Sequence, residues 1–295
     1  MIKFNKFYKL FNIISACLVM ISVLLLFFKG LNFGVDFKGG TLIELRANDK
    51  KINVTSLRDS FSNMDLGDIN IKKFGNESDF LIKIEKKDTS ADDLEIIKKD
   101  LVKAIGNSFN FRRVENVGPK VSSELLKSGI IAIALSLAAM LFYIWIRFEW
   151  QFSLGAILAL FHDVIITLGF FSLLGLEINL SIVAAVLTIV GYSMNDTVVI
   201  YDRVRENLKK FSDIKILELT NISINETLSR TIITSATTLL ALISIYIFGG
   251  EILKGFSFAM ILGVVFGTYS SIYISNPVLV KLRVSQKTIL KEDTE

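Results

Sequence analysis

Six stretches of the chain carry apolar residues almost without interruption: 10–28, 128–146, 150–176, 178–195, 231–250 and 255–280. Each is close to the roughly 20 residues that a helix needs to cross a hydrocarbon core, so six membrane spans are predicted. Only the third is broken by ionisable side chains, His162 and Asp163. Between the first and second spans the period of the pattern changes. Residues 41–47 alternate as a strand, and 54–64 read as a helix behind the polar cap Asn53. Residues 68–74 and 79–85 read as strands joined by a Gly75-Asn76 turn. A second helix, 91–105, has Asp92 and Asp93 in its first turn, where the helix dipole favours them. A last strand covers 110–117. The order βαββαβ is that of a ferredoxin-like sandwich. The predicted fold class is therefore an α-helical polytopic membrane protein with six transmembrane helices and one small α+β ferredoxin-like domain. Its parts are 1–29 (N-terminal segment and first span), 30–127 (exported domain), 128–281 (spans two to six, with a loop at 202–230) and 282–295 (tail).

Composition agrees: 52% of the 295 residues are hydrophobic and the mean hydropathy is +0.53, too apolar for an ordinary soluble domain. The net charge of +4 does not call for nucleic acid, because the basic residues follow the topology. Lys3, Lys6, Lys9, Arg147, Arg203, Arg205, Lys209, Lys210, Lys215, Lys281, Arg283, Lys287 and Lys291 all fall on one side of six alternating crossings. The short opposite loops, near Glu177 and at 251–254, carry almost none. The positive-inside rule then puts both termini in the cytoplasm of an inner-membrane protein and exports 30–127. The first span has the basic start of a signal peptide, but it is long and lacks a small-x-small cleavage site, so an uncleaved anchor is predicted. Cys17 is the single cysteine and excludes an internal disulfide.

The candidate chemistry lies in the membrane. Residues 178–195 are uncharged, and then Asp196 appears, flanked by Ser193, Asn195 and Thr197. A carboxylate in a membrane helix costs roughly 2.5–3.5 kcal/mol on insertion scales and persists where it faces protein or a wet cavity. Asp202 and Arg203 follow on the same helix. Arg230 opens the next span, above a stripe of Thr234, Thr237 and Thr238. Asp196 and Arg230 have matching depths, so a carboxylate–guanidinium pair is predicted that opens when the aspartate takes a proton. The alternative is a static bridge between two helices. His162 and Asp163 lie near the centre of the third span and point about 100° apart, so one should face the bundle and the other a neighbouring helix. Hydrogen bonding alone and proton handling both remain open for them. A single histidine gives no nitrogen ligand set, so neither a metal nor another cofactor is expected. The glycine-rich stretch with Gly34, Asp36, Gly39 and Gly40 lacks the GK[ST] ending of a phosphate loop. Its glycines let the chain turn sharply, with Asp36 as a hinge or cap. Small residues, among them Gly155, Ala156, Gly263 and Gly267, allow close helix approach.

Five segments occur in a telling order: GVDFKGGT (34–41), NVGPKVSSEL (116–125, with Gly118 and Pro119), His162-Asp163, GYSMNDTVVIYDRVREN (191–207) and TSATTLLALISIYIFGG (234–250). The set resembles the SecF family, membrane subunits of the bacterial protein-export machinery, with Ser123 where the VGPxVGxEL pattern carries glycine. The resemblance implies a subunit that uses the proton-motive force to assist late translocation of preproteins; with no phosphate-binding motif in the chain, no ATPase and no enzyme is expected. It implies as partners SecD (a homologous six-helix protein paired pseudo-twofold, as in resistance–nodulation–division exporters), the SecYEG channel, YajC and preprotein substrates. Two rival readings fit the sequence less well. A small-molecule or lipid exporter of the resistance–nodulation–division kind needs larger exported domains than 30–127. An intramembrane aspartyl protease needs a GxGD motif, which this chain lacks.

Overall fold

The computed structural model describes residues 1–48, 54–55, 57–58, 69–73, 78–84, 95, 99, 102–103, 109–211 and 214–290. It divides into two compact units. The first, Met1–Asn32, Ala132–Leu176 and Ser181–Glu295, is helical. Its helices are α1 (Tyr8–Phe28), α2 (Pro119–Arg147, which begins in the other unit), α3 (Trp150–Leu174), α4 (Leu180–Lys210), α5 (Ile216–Phe248) and α6 (Glu251–Tyr273). The short α7 (Ser275–Lys281) and α8 (Gln286–Leu290) follow. Among the described residues six helices are long and apolar enough to cross a membrane, α7 completing the last of them. α4 and α5, at 31 and 33 residues, exceed the length a bilayer requires, and the excess carries charge: Asp202–Lys210 on one and Ile216–Arg230 on the other.

The apolar windows of α3, α4 and the α6–α7 span are 50% buried, whereas those of α1, α2 and α5 are only 11%, 11% and 17% buried. The inner three therefore build the core, and the outer three turn apolar surface outward. The core is organised around Phe148, Phe152 and Tyr201, whose rings meet 5.1–6.0 Å apart. The Tyr201 hydroxyl donates to the Ser275 carbonyl at 3.1 Å, which satisfies a polar tip that burial would otherwise leave unpaired. The chain's first residues are strapped to the start of α5. Asn225 exchanges two 2.8 Å hydrogen bonds with the backbone of Ile2, and Asn221 accepts from the Phe4 N–H at 2.8 Å.

The second unit, Phe33–Ile131 with Glu177–Leu180, holds a four-stranded sheet. Its strands are β1 (Gly40–Ala47), β2 (Ile69–Lys73), β3 (Asp79–Ile84) and β4 (Phe109–Val117), in the order β2-β3-β1-β4, with every pair antiparallel. That is the strand order of the ferredoxin-like sandwich. Of the helix predicted over 54–64, the described residues 54–55 and 57–58 are helical, and most of the helix predicted over 91–105 lies outside the described residues. Alternation puts Ile43, Leu45, Ala47, Ile71, Phe80, Ile82 and Ile84 on one buried face against Leu57. Leu42 and Leu81, one register step away, are only half-buried. Full burial of a side chain such as Phe80 contributes about 1.5–3 kcal/mol.

At the end of the sheet Asp79 receives a two-pronged bond from Arg46, 2.6 Å to Oδ1 and 2.8 Å to Oδ2. The β1–β4 register shifts between Glu44 and Leu45, adding Arg112 to β4, and its guanidinium lies 3.5 Å from the same carboxylate. Hydrogen bonding to Arg46 first, then the two positive charges, hold the Asp79 carboxyl below its usual range. A depressed folded-state value stabilises the fold above the unfolded carboxylate range, near pH 4, and that stabilisation is lost as pH falls through the folded value. Asp79→Asn should thus speed hydrogen exchange at the Arg46 and Ala47 amides at pH 7. The difference from the unsubstituted protein should shrink steadily below pH 4. A difference independent of pH would assign Asp79 a purely steric role.

Candidate intramembrane polar site

Asp163 is fully buried on the inner face of α3. Its Oδ2 accepts hydrogen bonds from Ser193 Oγ of α4 at 2.5 Å and from Ser270 Oγ of α6 at 2.7 Å, and its Oδ1 lies 2.8 Å from His162 Nδ1. One carboxylate thereby ties together the three innermost helices. The expectation that His162 and Asp163 face separate partners is corrected. They bond each other, because the imidazole folds back along the helix and brings Nδ1 to the neighbouring carboxylate. His162 also stacks on Tyr269, with ring centroids 5.8 Å apart, and its Nε2 has no hydrogen-bond partner among the described residues. α4 and α6 can come this close because Gly267 faces Ser193. A Cβ at Gly267 would stand 3.0 Å from the Ser193 Cβ, tighter than ordinary packing allows.

Asp196 lies three residues beyond Ser193 on α4 and is also buried. Its carboxylate takes a long 3.5 Å bond from Thr268 of α6, and Ser235 of α5 stands behind that hydroxyl. Ser235 and Thr268 are themselves linked at 2.7 Å. The expected pair with Arg230 is absent as a contact: the described residues include no Asp196–Arg230 ion pair within 4.0 Å. Arg230 is exposed on α5 and acts on the aspartate only through its field, while the carboxylate turns inward to the hydroxyls. Thr234, Thr237 and Thr238 return their hydroxyls to their own helix backbone, and Thr238 also accepts from Tyr192 at 3.3 Å. Ser235, Thr268 and Ser270 are side chains of this polar site that the residue pattern did not single out. Their signal was weak: hydroxyls inside uncharged spans.

The remaining polar residues of α4 sort into two groups. At its charged end, Asp202 pairs with Arg147 at 2.7 Å, and Arg203 bridges Glu226 of α5 at 2.7 Å and Glu206 at 2.6 Å. Arg205 reaches the buried Glu149 at 2.9 Å. These bonds fix the end of the helix and do not touch Asp196. Asn195, by contrast, is exposed, in line with Ala184, Thr188 and Gly191 along one outward stripe of α4. Among the described residues no three histidine, cysteine or carboxylate side chains come together as a metal cage.

The glycine-rich motif sits in the sheet unit. Gly39 and Gly40 take φ of 81° and 126°, in the region that side chains resist, and so turn the chain into β1. Gly39 packs where a Cβ would stand 3.3 Å from Ser122 Oγ and the Val117 carbonyl, against the second motif. There Gly118 precedes Pro119, the first residue of α2, a position that suits proline. Asp36 accepts a hydrogen bond from the Leu180 N–H at 2.8 Å, at the start of α4. The Gly34 N–H donates to the Ile178 carbonyl at 2.9 Å.

Two family descriptions match this chain: "Protein export membrane protein SecD/SecF, C-terminal" over residues 97–285, and "SecD/SecF GG Motif" over 24–50. Protein translocase subunit SecF of Rickettsia bellii is 45% identical over 278 residues, which cover 94% of this chain and 91% of the relative. The SecF of Calditerrivibrio nitroreducens is 46% identical over 286 residues, covering 95% and 93%. The crystal structure of SecDF, a translocon-associated membrane protein from Thermus thermophilus, is similar with a TM-score of 0.85 at 35% identity. It covers 95% of this chain, which spans 38% of that longer one.

Proposed function

Because this chain belongs to the SecD/SecF family of protein-export membrane proteins, we propose that it is a subunit of the Sec machinery that couples proton entry to late translocation of preproteins. The observation that carries this reading is Asp196, a carboxyl group buried in a membrane helix against a linked pair of hydroxyls from two other helices. A hydroxyl can donate to a carboxylate and accept from a carboxylic acid, so Thr268 and Ser235 accommodate both protonation states with little rearrangement. Loss of the negative charge releases the field exerted on Arg230, which cannot give up its own proton. That change of force between α4 and α5 is the mechanical element of the proposal. Asp163, pinned by two serines, stands beside it as the inner tie of the bundle and a second proton-accepting group.

The stripe Ala184, Thr188, Gly191 and Asn195 on α4 suits a closely packed helix from a homologous six-helix partner, SecD. SecYEG, YajC and the preprotein complete the assembly. Both termini are assigned to the cytoplasm and residues 30–127 to the far side of the inner membrane, on the distribution of Lys and Arg.

The reading is tested in vesicles holding the Sec channel and SecD, with and without this chain. Completion of a stalled preprotein's export should rise with an imposed proton gradient only when the chain is present. Equal rates with and without it would end the proposal. In the same vesicles, with Cys17→Ser, a Ser78→Cys variant should react with an impermeant thiol reagent from the exported side and Lys215→Cys from the cytoplasmic side. Labelling of both from one side would overturn the orientation.

A further inference from the structure

The short loop ahead of α4 belongs, by its contacts, to the sheet unit and not to the helices it connects. Residues Glu177–Leu180 cluster with Phe33–Ile131, whereas α4 from Ser181 onward clusters with the helical unit. Three bonds contribute to this, beside a short two-stranded pairing of Glu177–Ile178 with the chain at Phe33. Asp36 accepts from the Leu180 N–H at 2.8 Å, the Gly34 N–H donates to the Ile178 carbonyl at 2.9 Å, and Lys83 of β3 pairs with Glu177 at 2.8 Å. Gly34 has no room for a larger residue: a Cβ there would meet the Ile178 carbonyl at 3.4 Å and the Asn179 Cβ at 3.5 Å. Leu180 is the first residue of α4, and its N–H is one of the four that no helical carbonyl can satisfy. Asp36 thus serves as an N-cap supplied from a distant part of the chain, with its negative charge at the positive end of the helix dipole. About 24 Å further along the same unbroken helix, at 1.5 Å per residue, lies Asp196.

We propose that Asp36 and the Lys83–Glu177 pair are positioning residues that clamp the start of α4 to the exported domain, so that displacement of α4 at Asp196 is delivered to that domain. The proposal rests on the proton-coupled reading above and adds to it the route by which the membrane event reaches the far side. An unbroken α-helix is stiff along its axis, so a shift at Asp196 arrives at Leu180 undiminished. Without the clamp the loop can absorb it.

The experiment uses the full chain with SecD and the channel in vesicles, and reads gradient-driven proton uptake and preprotein export together, each normalised to folded protein. Asp36→Ala removes the acceptor and should lower gradient-stimulated export about fivefold, the factor that corresponds to one lost cap. Proton uptake should persist. Asp36→Asn keeps an acceptor oxygen and should retain at least half of the stimulation. Lys83→Glu should behave like Asp36→Ala, and adding Glu177→Lys should restore coupling by reversing the pair. Hydrogen exchange at the Leu180 amide should speed up in Asp36→Ala and not in Asp36→Asn. Export and proton uptake falling in the same proportion, or Asp36→Ala exporting like the unsubstituted protein, would overturn the clamp. If Asp36→Ala does not fold, the Lys83→Glu and Glu177→Lys swap decides alone. An unsubstituted protein that shows neither proton uptake nor gradient-dependent export would instead refute the functional reading on which the clamp rests.

Discussion

Asp196→Asn should abolish gradient-stimulated export while leaving the amount of folded protein unchanged. Asparagine keeps the size of the side chain and an oxygen to accept from Thr268, so the polar cluster between α4, α5 and α6 retains its bonds. It cannot cycle between charged and neutral forms, however, and any step that depends on that cycle stops. The residual rate should equal that measured without a gradient. Arg230 makes no direct contact with Asp196, so its part rests on charge and not on the planar fork of the guanidinium. Arg230→Lys is therefore expected to keep a substantial share of the stimulation, and Arg230→Gln to lose nearly all of it. The measurement is preprotein export in vesicles with and without an imposed gradient, per folded molecule. Full stimulation in Asp196→Asn would remove Asp196 from the mechanism and leave Asp163 as the carboxyl to examine.

The second large effect concerns stability. Asp163→Leu takes away the acceptor shared by Ser193, Ser270 and His162 and leaves three buried donors without it. Interhelical hydrogen bonds inside membranes average about 0.6 kcal/mol and reach about 1.7. A buried donor stripped of its partner costs about 1–3 kcal/mol, although serine hydroxyls can turn to their own helix backbone. The net loss should therefore be about 2–4 kcal/mol, read as a lower thermal midpoint in detergent and a smaller monodisperse fraction. Asp163→Asn, whose amide oxygen in the place of Oδ2 still accepts from both serines, should lose less than half as much. A leucine variant as stable as the original would show that apolar packing alone holds α3, α4 and α6 together.

The spans were legible because six long apolar runs, only one of them broken by His162 and Asp163, admit hardly any other structure in a 295-residue chain. The strands were legible for a similar reason: 41–47 and 79–85 alternate with period 2, and β1 and β3 lie within a residue of those ranges. The order β2-β3-β1-β4 is a matter of which strands meet, and local pattern does not carry that information. It came only from the analogy between βαββαβ and a known sandwich. The polar site divides in the same way. Asp163 and Asp196 were conspicuous because a carboxylate in an apolar run is costly. Their partners were not, because serine and threonine in a membrane helix can bond to their own backbone and need no neighbour. Thr234 and Thr237 do that, while Ser235 and Ser270 reach across to other helices. Only the arrangement of helices decides which hydroxyl does which. The same gap explains Arg230: matching depth along two helices says nothing about the direction in which each side chain leaves its own axis.

The strap that binds Ile2 and Phe4 to Asn225 and Asn221 joins residues more than two hundred positions apart. During synthesis the first ten residues leave the ribosome long before either asparagine exists. α1 must therefore enter the membrane with Phe4 and Tyr8 still uncovered, and the bundle can lock only after four of its six spans have been made and the fifth helix has begun. Closure is a late event in this protein's biogenesis. A chain arrested before residue 221 would keep the basic segment with Lys3, Lys6 and Lys9 loose and open to insertion factors or early proteolysis, a vulnerability that ends when α5 emerges.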